Sequence, residues 1–306
     1  MTGLVFTDKT AQYYADAIGK LAPDLDLWHP GDAGAASAEV AISWAPPAEI
    51  FRGLPRLRLI HSIGAGADRI LSAASALDVP VCRIVDDQQA RSMAQYVAWG
   101  VLNYHRDFDA IRANQKARAW VRSREQRTSR GTVVGIMGMG LMGRTVAALL
   151  AQFGFSVRGW SRRRGEVAGV RCYDESELDE FLAATQILVC LLPLTPGTRG
   201  ILSRDLFRRL PPGARLIHAG RGEHLVEDDL LEAVNTGQLG GALLDVFPRE
   251  PLPDDDALWT NSKIVVTPHI AAISSSETVA GQIVANVRRL CAGLQLDNEV
   301  KRAFGY

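Results

Sequence analysis

The sequence lacks an excess of charge of either sign: its 306 residues carry 34 Lys and Arg against 34 Asp and Glu. That balance removes the electrostatic motive for binding nucleic acid or an anionic membrane surface. Cysteine is scarce. Cys82, Cys172, Cys190 and Cys291 are scattered, with no CxxC pair and no histidine at ligand spacing, so neither a disulfide framework nor a metal site is expected. Cys190 lies inside the apolar run 187–192, where it is expected to serve as a small buried hydrophobe. No apolar run approaches the roughly 18 residues that a membrane span needs. The N-terminus has no basic segment ahead of a long apolar one, so no signal peptide is expected. No period of 20 to 50 residues repeats. A cytoplasmic protein fits these absences.

What is present is ordinary globular composition, 47% hydrophobic and 22% charged, in a chain long enough for two domains. Short apolar runs at Gly3–Phe6, Val40–Ser43, Leu59–Ser62, Val81–Arg83, Thr132–Ile136, Ser156–Trp160, Ile187–Leu192, Arg215–His218, Gly241–Val246 and Ile264–Thr267 alternate with helical stretches. Such strands, separated by helices, predict parallel sheets covered on both faces. A helical stretch over about 90–121, with Met93, Val97, Val101, Leu102, Phe108 and Ile111 among its apolar positions, divides the strands into two groups. The basic segment 122–130 that follows has no aromatic residue for base stacking and predicts a solvated linker. The tail, helical through Val279, Ile283, Val287 and Leu290, is too short for a domain and is expected to return to the first group. The predicted architecture is α/β, with two Rossmann-like, doubly wound parallel-sheet domains and a cleft between them. Residues 1–95 with 276–306 form a flavodoxin-like substrate domain, and 96–275 a dinucleotide-binding domain.

Gly138-Met139-Gly140-Leu141-Met142-Gly143 stands between a predicted strand and a predicted helix. There GxGxxG predicts a dinucleotide site. Gly138 makes the turn, Gly140 admits the pyrophosphate, and Gly143 lets helix and strand pack closely. The helix N-terminus offers unpaired N–H groups to the phosphates. At the end of the next strand, where an NAD site usually carries an acid for the ribose hydroxyl, stand Ser161, Arg162, Arg163 and Arg164. These suit a 2′-phosphate, so NADP(H) is expected in preference to NAD(H), which stays as the alternative.

Reducing a ketone with such a cofactor requires a cation for a substrate carboxylate, a proton donor and something to hold that donor. Arg221, in a turn after the strand 215–218, supplies a fork that matches a carboxylate. Of six histidines, His269 follows a strand in the same lobe and His61 ends a strand of the other; position favours His269. A carboxylate bonded to one imidazole nitrogen fixes the tautomer and favours the protonated ring. Spacing leaves both Glu250 and Asp245 open for that part.

Taken together, the glycine loop, Ala219-Gly220-Arg221-Gly222, Leu244-Asp245-Val246-Phe247 with Glu250-Pro251-Leu252-Pro253, and Thr267-Pro268-His269-Ile270-Ala271 resemble the D-isomer-specific 2-hydroxyacid dehydrogenases over nearly the whole chain. The resemblance implies a catalytic set Arg221, Glu250 and His269, with Glu250 against the histidine and Asp245 beside the nicotinamide. It implies that Gly64-Ala65-Gly66 holds the substrate carboxylate through backbone N–H groups. It also implies that Leu192, Pro193, Thr198, Ala219 and Gly220 line the cofactor. Trp44-Ala45-Pro46-Pro47, Trp160-Ser161-Arg162-Arg163 and Glu227-Asp228-Asp229-Leu230-Leu231 resemble the glyoxylate/hydroxypyruvate reductase A type. That implies Trp44 at the substrate, NADPH as reductant and a homodimer built through the cofactor domain. His218 stands where the family usually has Asn, and Ala45 where the subgroup has His. A chain ending at Tyr306 is expected to lack the regulatory domain of long phosphoglycerate dehydrogenases. Glu250 argues against a formate dehydrogenase, which typically carries Gln there. A dinucleotide-sensing corepressor on the same fold is the rival from another class, and turnover separates it.

Overall fold

The computed structural model describes residues 2–47, 49–122 and 128–302; most of the predicted linker 122–130 lies outside the described residues. The chain opens with β1 (Gly3–Phe6), α1 (Lys9–Gln12), α2 (Ala15–Leu21), β2 (Asp26–Trp28), β3 (Val40–Ser43), β4 (Leu59–Ser62), α3 (Asp68–Ala73) and β5 (Val81–Cys82). Next come α4 (Asp87–His105), α5 (Phe108–Lys116), β6 (Val133–Met137), α6 (Leu141–Gln152), β7 (Ser156–Trp160), β8 (Arg171–Tyr173), α7 (Leu178–Ala183) and β9 (Ile187–Cys190). Then follow α8 (Arg204–Phe207), β10 (Ala214–His218), α9 (Glu227–Thr236), β11 (Leu239–Leu244), β12 (Ile264–Val266) and α10 (Ser276–Cys291). Two compact units result, Met1–Asp86 with Ser274–Tyr306, and Asp87–Ile273. From its first turn α4 belongs to the second unit, nine residues earlier than the predicted boundary. The cause is its apolar face: Met93, Val97 and Val101 share a core with Val146 and Leu150 of α6.

In the first unit five parallel strands run in the order β2-β1-β3-β4-β5, the flavodoxin-like arrangement. Ile18 of α2 and Val279, Ile283 and Val287 of α10 share one core, and Ile70 of α3 joins a second with Phe51 and Leu54. The Ser275 side chain accepts the Thr278 N–H and caps α10.

The second unit holds seven parallel strands in the order β12-β11-β10-β9-β6-β7-β8. The order reverses between β6 and β9, and in doubly wound sheets ligands bind beyond the carboxyl ends of the strands at such a point. All four residues of β9 are buried, as are the last four of β11. Separate cores lie against the sheet, one built with α4 and α6 and the other with α7, α8 and α9. Burial on both faces is what made these strands read as continuous apolar runs.

Two strands were not predicted, β2 and β8. Both are three-residue edge strands with exposed or half-buried positions, so neither has an apolar run. The predicted helix over 90–121 is two helices. Asp107, at φ +53 between α4 and α5, breaks it, and Asp is among the residues that tolerate this left-handed region.

Candidate active site

The predicted cofactor and catalytic motifs of the second unit lie just past the carboxyl ends of strands. The glycine loop follows β6, Ser161 follows β7, and residues 191–198 follow β9. Ala219-Gly220-Arg221 follows β10, Asp245 follows β11, and the segment 267–271 follows β12. In the glycine loop, Gly138 adopts φ +103, and a side chain there would also meet the Leu191 carbonyl at 2.6 Å. A Cβ on Gly143 would collide with the Gly138 carbonyl, whereas one on Gly140 would meet nothing within 4 Å. The structure therefore demands glycine at the turn and at the helix–strand contact, and leaves open space over Gly140. That opening, at the start of the twelve-residue helix α6, fits a dinucleotide pyrophosphate. Met139 is buried against Gly159 of β7, while Leu141 is exposed.

Beyond β7, the Ser161 hydroxyl donates to the Arg163 carbonyl at 2.7 Å and shapes the turn. Arg162 and Arg163 are exposed. Arg164 turns away into ion pairs with Glu177 and Asp174. Arg144 of α6, which the sequence reasoning missed, donates to the Met139 carbonyl at 3.0 Å and to the Glu166 carbonyl at 3.3 Å. It ties the glycine loop to the arginine loop. After β9, Leu192 is buried in the core. Thr198 donates to the Pro193 carbonyl at 2.8 Å and accepts the Thr195 N–H at 2.8 Å, closing the loop between them.

The choice between Asp245 and Glu250 is visible in the geometry. Asp245, 1% exposed, spends its carboxylate on the Thr267 hydroxyl at 2.6 Å and on the Ile270 and Ala271 N–H groups at 2.9 Å each. The His269 N–H donates to the Asp245 carbonyl at 2.9 Å. These bonds hold His269 at φ +55, a left-handed conformation that a non-glycine residue adopts at a cost of about 1–2 kcal/mol. Glu250 meets the ring itself: its Oε2 lies 2.9 Å from His269 Nδ1, and its Oε1 accepts the Phe247 N–H at 3.0 Å. Both side chains are half-buried. A carboxylate on Nδ1 sets the proton there and leaves Nε2 as the nitrogen that exchanges a proton outward. The Arg221 guanidinium donates to the Gly220 carbonyl at 2.9 Å.

In the first unit the Trp44 ring lies against Gly64, too close for any side chain there. The Asp8 carboxylate, which the sequence did not single out, accepts the Trp44 N–H at 2.7 Å and the Ala45 N–H at 3.2 Å. Ser62 shapes the loop 64–66, accepting the Gly64 N–H at 3.1 Å and donating to the Gly66 carbonyl at 2.9 Å. Arg83 reaches the Ala65 carbonyl at 3.4 Å. His61 is not placed to exchange protons with a substrate. It is fully buried, Nδ1 faces the Ser62 carbonyl at 2.8 Å, and Asn286 Nδ2 lies 3.1 Å from Nε2. Burial pushes its pKa down to about 4.

The family description "D-isomer specific 2-hydroxyacid dehydrogenase, NAD binding domain" matches residues 98–271. A glyoxylate/hydroxypyruvate reductase A of Serratia proteamaculans is 41% identical over 286 residues, covering 91% of this chain and 90% of its own. A D-isomer specific 2-hydroxyacid dehydrogenase family protein of Klebsiella pneumoniae superposes with TM-score 0.94 at 41% identity, over 99% of this chain and 98% of that one. An NADPH-dependent glyoxylate/hydroxypyruvate reductase of Sinorhizobium meliloti, solved with NADP and sulfate, superposes with TM-score 0.93 at 35% identity, all of both chains covered. With motifs, topology and relatives in agreement, the chain belongs to the D-isomer specific 2-hydroxyacid dehydrogenase family.

Proposed function

We propose that this protein is an NADPH-preferring reductase of small 2-keto acids of the glyoxylate/hydroxypyruvate class, forming D-2-hydroxy acids. The observation that carries the proposal is the Glu250–His269 pair, 2.9 Å apart at the same carboxyl end of the parallel strands as the glycine loop and Arg221. A bound nicotinamide supplies hydride to the carbonyl carbon. The chain's own residues do the rest. Arg221 and the backbone of Gly64, Ala65 and Gly66, with Trp44 beside them, hold the carboxylate end of the substrate. The doubly protonated His269 ring gives its Nε2 proton to the carbonyl oxygen, and Glu250 keeps the remaining proton on Nδ1. Met139, Leu141 and Met142 belong with the three glycines to the dinucleotide loop, as do Leu192, Pro193, Thr198, Ala219, Gly220 and Asp245 to the nicotinamide side. Oxidation of NADPH followed against glyoxylate, hydroxypyruvate, pyruvate and phenylpyruvate tests the reading. Cofactor binding with negligible turnover on all of them would favour a sensor instead.

Arg162 and Arg163 stand exposed where an NAD site carries its acid. Charge-assisted hydrogen bonds of about 1.5–3 kcal/mol each make Arg162→Ala with Arg163→Ala raise the KM for NADPH by roughly 10-fold or more. The KM for NADH should change little. Better use of NADH than NADPH by the unaltered protein would remove this loop from the 2′-phosphate.

Glu250→Gln tests the part given to the carboxylate. Glutamine keeps the length of the side chain but not the charge that holds a proton on Nδ1 of His269 at 2.9 Å. The variant is expected to lose about 10-fold or more in kcat for keto-acid reduction while its Kd for NADPH stays unchanged. Wild-type kcat in Glu250→Gln would take this role from Glu250.

The protein is further read as a homodimer in a reducing cytoplasm. Around α5 the side chains of Phe108, Ile111, Trp120 and Val121 are exposed, Trp120 at 98%. Ile111 and Val121 help line a cavity of about 840 Å³ at the amino edge of the second sheet. Large exposed apolar side chains such as these suit burial against a second copy of the chain. All four cysteines are free thiols, and among the described residues no helix is long and apolar enough to cross a membrane. Light scattering is expected to give twice the chain mass, and Trp120→Glu with Ile111→Glu about half of that value. A wild-type protein of single chain mass at micromolar concentration would refute the dimer.

A further inference from the structure

Behind Arg221 three buried side chains, Cys190, His218 and His224, bring sulfur and ring nitrogens within 4.8 Å of one another. No spacing in the sequence announced this cluster. Its hydrogen bonds point toward Arg221. His224 Nδ1 accepts the Arg221 N–H at 3.0 Å, and its Nε2, which then carries the proton, faces the Pro193 carbonyl at 3.3 Å. The Arg221 carbonyl accepts from His218 Nε2 at 2.9 Å and from the His224 N–H at 3.0 Å. The two rings meet edge to face with centroids 5.7 Å apart. Burial, followed by the neighbouring His224, pushes the His218 pKa down to about 3, so its ring is a neutral donor at working pH. Burial pushes the Cys190 thiol up to about 12, so this sulfur remains protonated.

We infer that His218 and His224 are positioning residues, a pair of neutral imidazoles that clamp the main chain of Arg221 and aim its guanidinium. The inference rests on the substrate-binding role proposed for Arg221. Arg221 is extended, at φ −140 and ψ 141, and stands between Gly220 and Gly222, which impose little backbone preference of their own. A tilt of about 10° at its Cα carries the tip of so long a side chain by about 1 Å, a misplacement that costs on the order of 10²-fold in rate. Both ends of the Arg221 residue are held by ring nitrogens, and His224 links that setting to the Pro193 loop. The side chain that grips the substrate is thereby set in register with the loop proposed to line the cofactor.

Two amides at one position separate this role from a merely structural one. His224→Asn puts an acceptor oxygen where Nδ1 stands and gives up the bond to Pro193. His224→Gln puts a donor nitrogen where Nε2 stands and gives up the bond to Arg221. His224→Gln is expected to raise the KM for glyoxylate about 10-fold and lower kcat/KM by about 10². His224→Asn should lose far less, with its loss appearing in the KM for NADPH. In an Arg221→Ala background, adding His224→Gln should cost no more than about twofold further, because residues acting through one another are not additive. If either amide variant fails to fold, His218→Gln against His218→Leu repeats the comparison from the carbonyl side, Gln retaining a donor at the Nε2 position. Equal losses in the two amides, or full multiplication of losses in the Arg221→Ala background, would overturn the clamp. An Arg221→Ala protein with unchanged KM for glyoxylate would instead overturn the role proposed for Arg221.

Discussion

His269→Ala is expected to lower kcat for keto-acid reduction by about 10²-fold or more, the usual scale for removing a general acid. The Kd for NADPH should stay within about threefold. The separation follows from the architecture: the glycine loop follows β6, whereas His269 follows β12, at the far edge of the same sheet. Alanine at φ +55 brings a backbone cost of its own, so a second variant is needed. Asn tolerates the left-handed region better than most residues, and His269→Asn keeps the backbone while removing the proton donor. Both variants should be equally slow. If His269→Asn recovered most of the turnover, the loss in His269→Ala would belong to the backbone and not to the imidazole. His61 does not offer an escape route for the mechanism. With no exposed surface and a pKa pushed down to about 4, it is neutral and shielded under assay conditions.

Most of the sheet strands were legible because the chain writes burial on both faces as an uninterrupted apolar run, as in Ile187–Cys190. The edge strands β2 and β8 were not, since exposed or half-buried positions leave no apolar run in Asp26–Trp28 or Arg171–Tyr173, whereas the edge strands β5 and β12 keep theirs in Val81–Cys82 and Ile264–Val266. Within the site, legibility followed the distance over which the chemistry is encoded. The glycine loop is local: contacts within the turn and beside the neighbouring strand explain Gly138 and Gly143, and open space lies over Gly140. The partner of His269 is not local. Asp245 and Glu250 follow the same strand, and the geometry that separates them depends on how residues 267–271 fold back: Asp245 takes two N–H groups of that segment and Glu250 takes the ring. Resemblance distinguished them where spacing did not. Asp8 under Trp44, Arg144 between two loops, and the imidazoles behind Arg221 carried no usable signal. Each acts through one or two hydrogen-bonding atoms brought close by the fold, and no periodicity records such atoms.

Arg221→Lys is the other change with a large expected effect, near 10² in kcat/KM for the keto acid. Lysine keeps the charge but replaces a planar fork with a point donor, so it attracts the carboxylate without fixing its plane. A substrate free to rotate about its carboxylate presents its carbonyl carbon off the line of attack, and misplacement of about 1 Å is enough for a loss of this size. Loss of attraction alone would raise KM and leave kcat; loss of orientation lowers kcat as well. Both parameters should therefore suffer in Arg221→Lys. Arg221→Met, similar in length but uncharged, should lose the attraction too and fall further, chiefly in KM. Steady-state kinetics of the three proteins with glyoxylate at saturating NADPH gives the comparison. An Arg221→Lys enzyme with wild-type kcat and KM would mean that positive charge alone suffices here. The two-pronged grip, and the clamp built to aim it, would then have no part in the reaction.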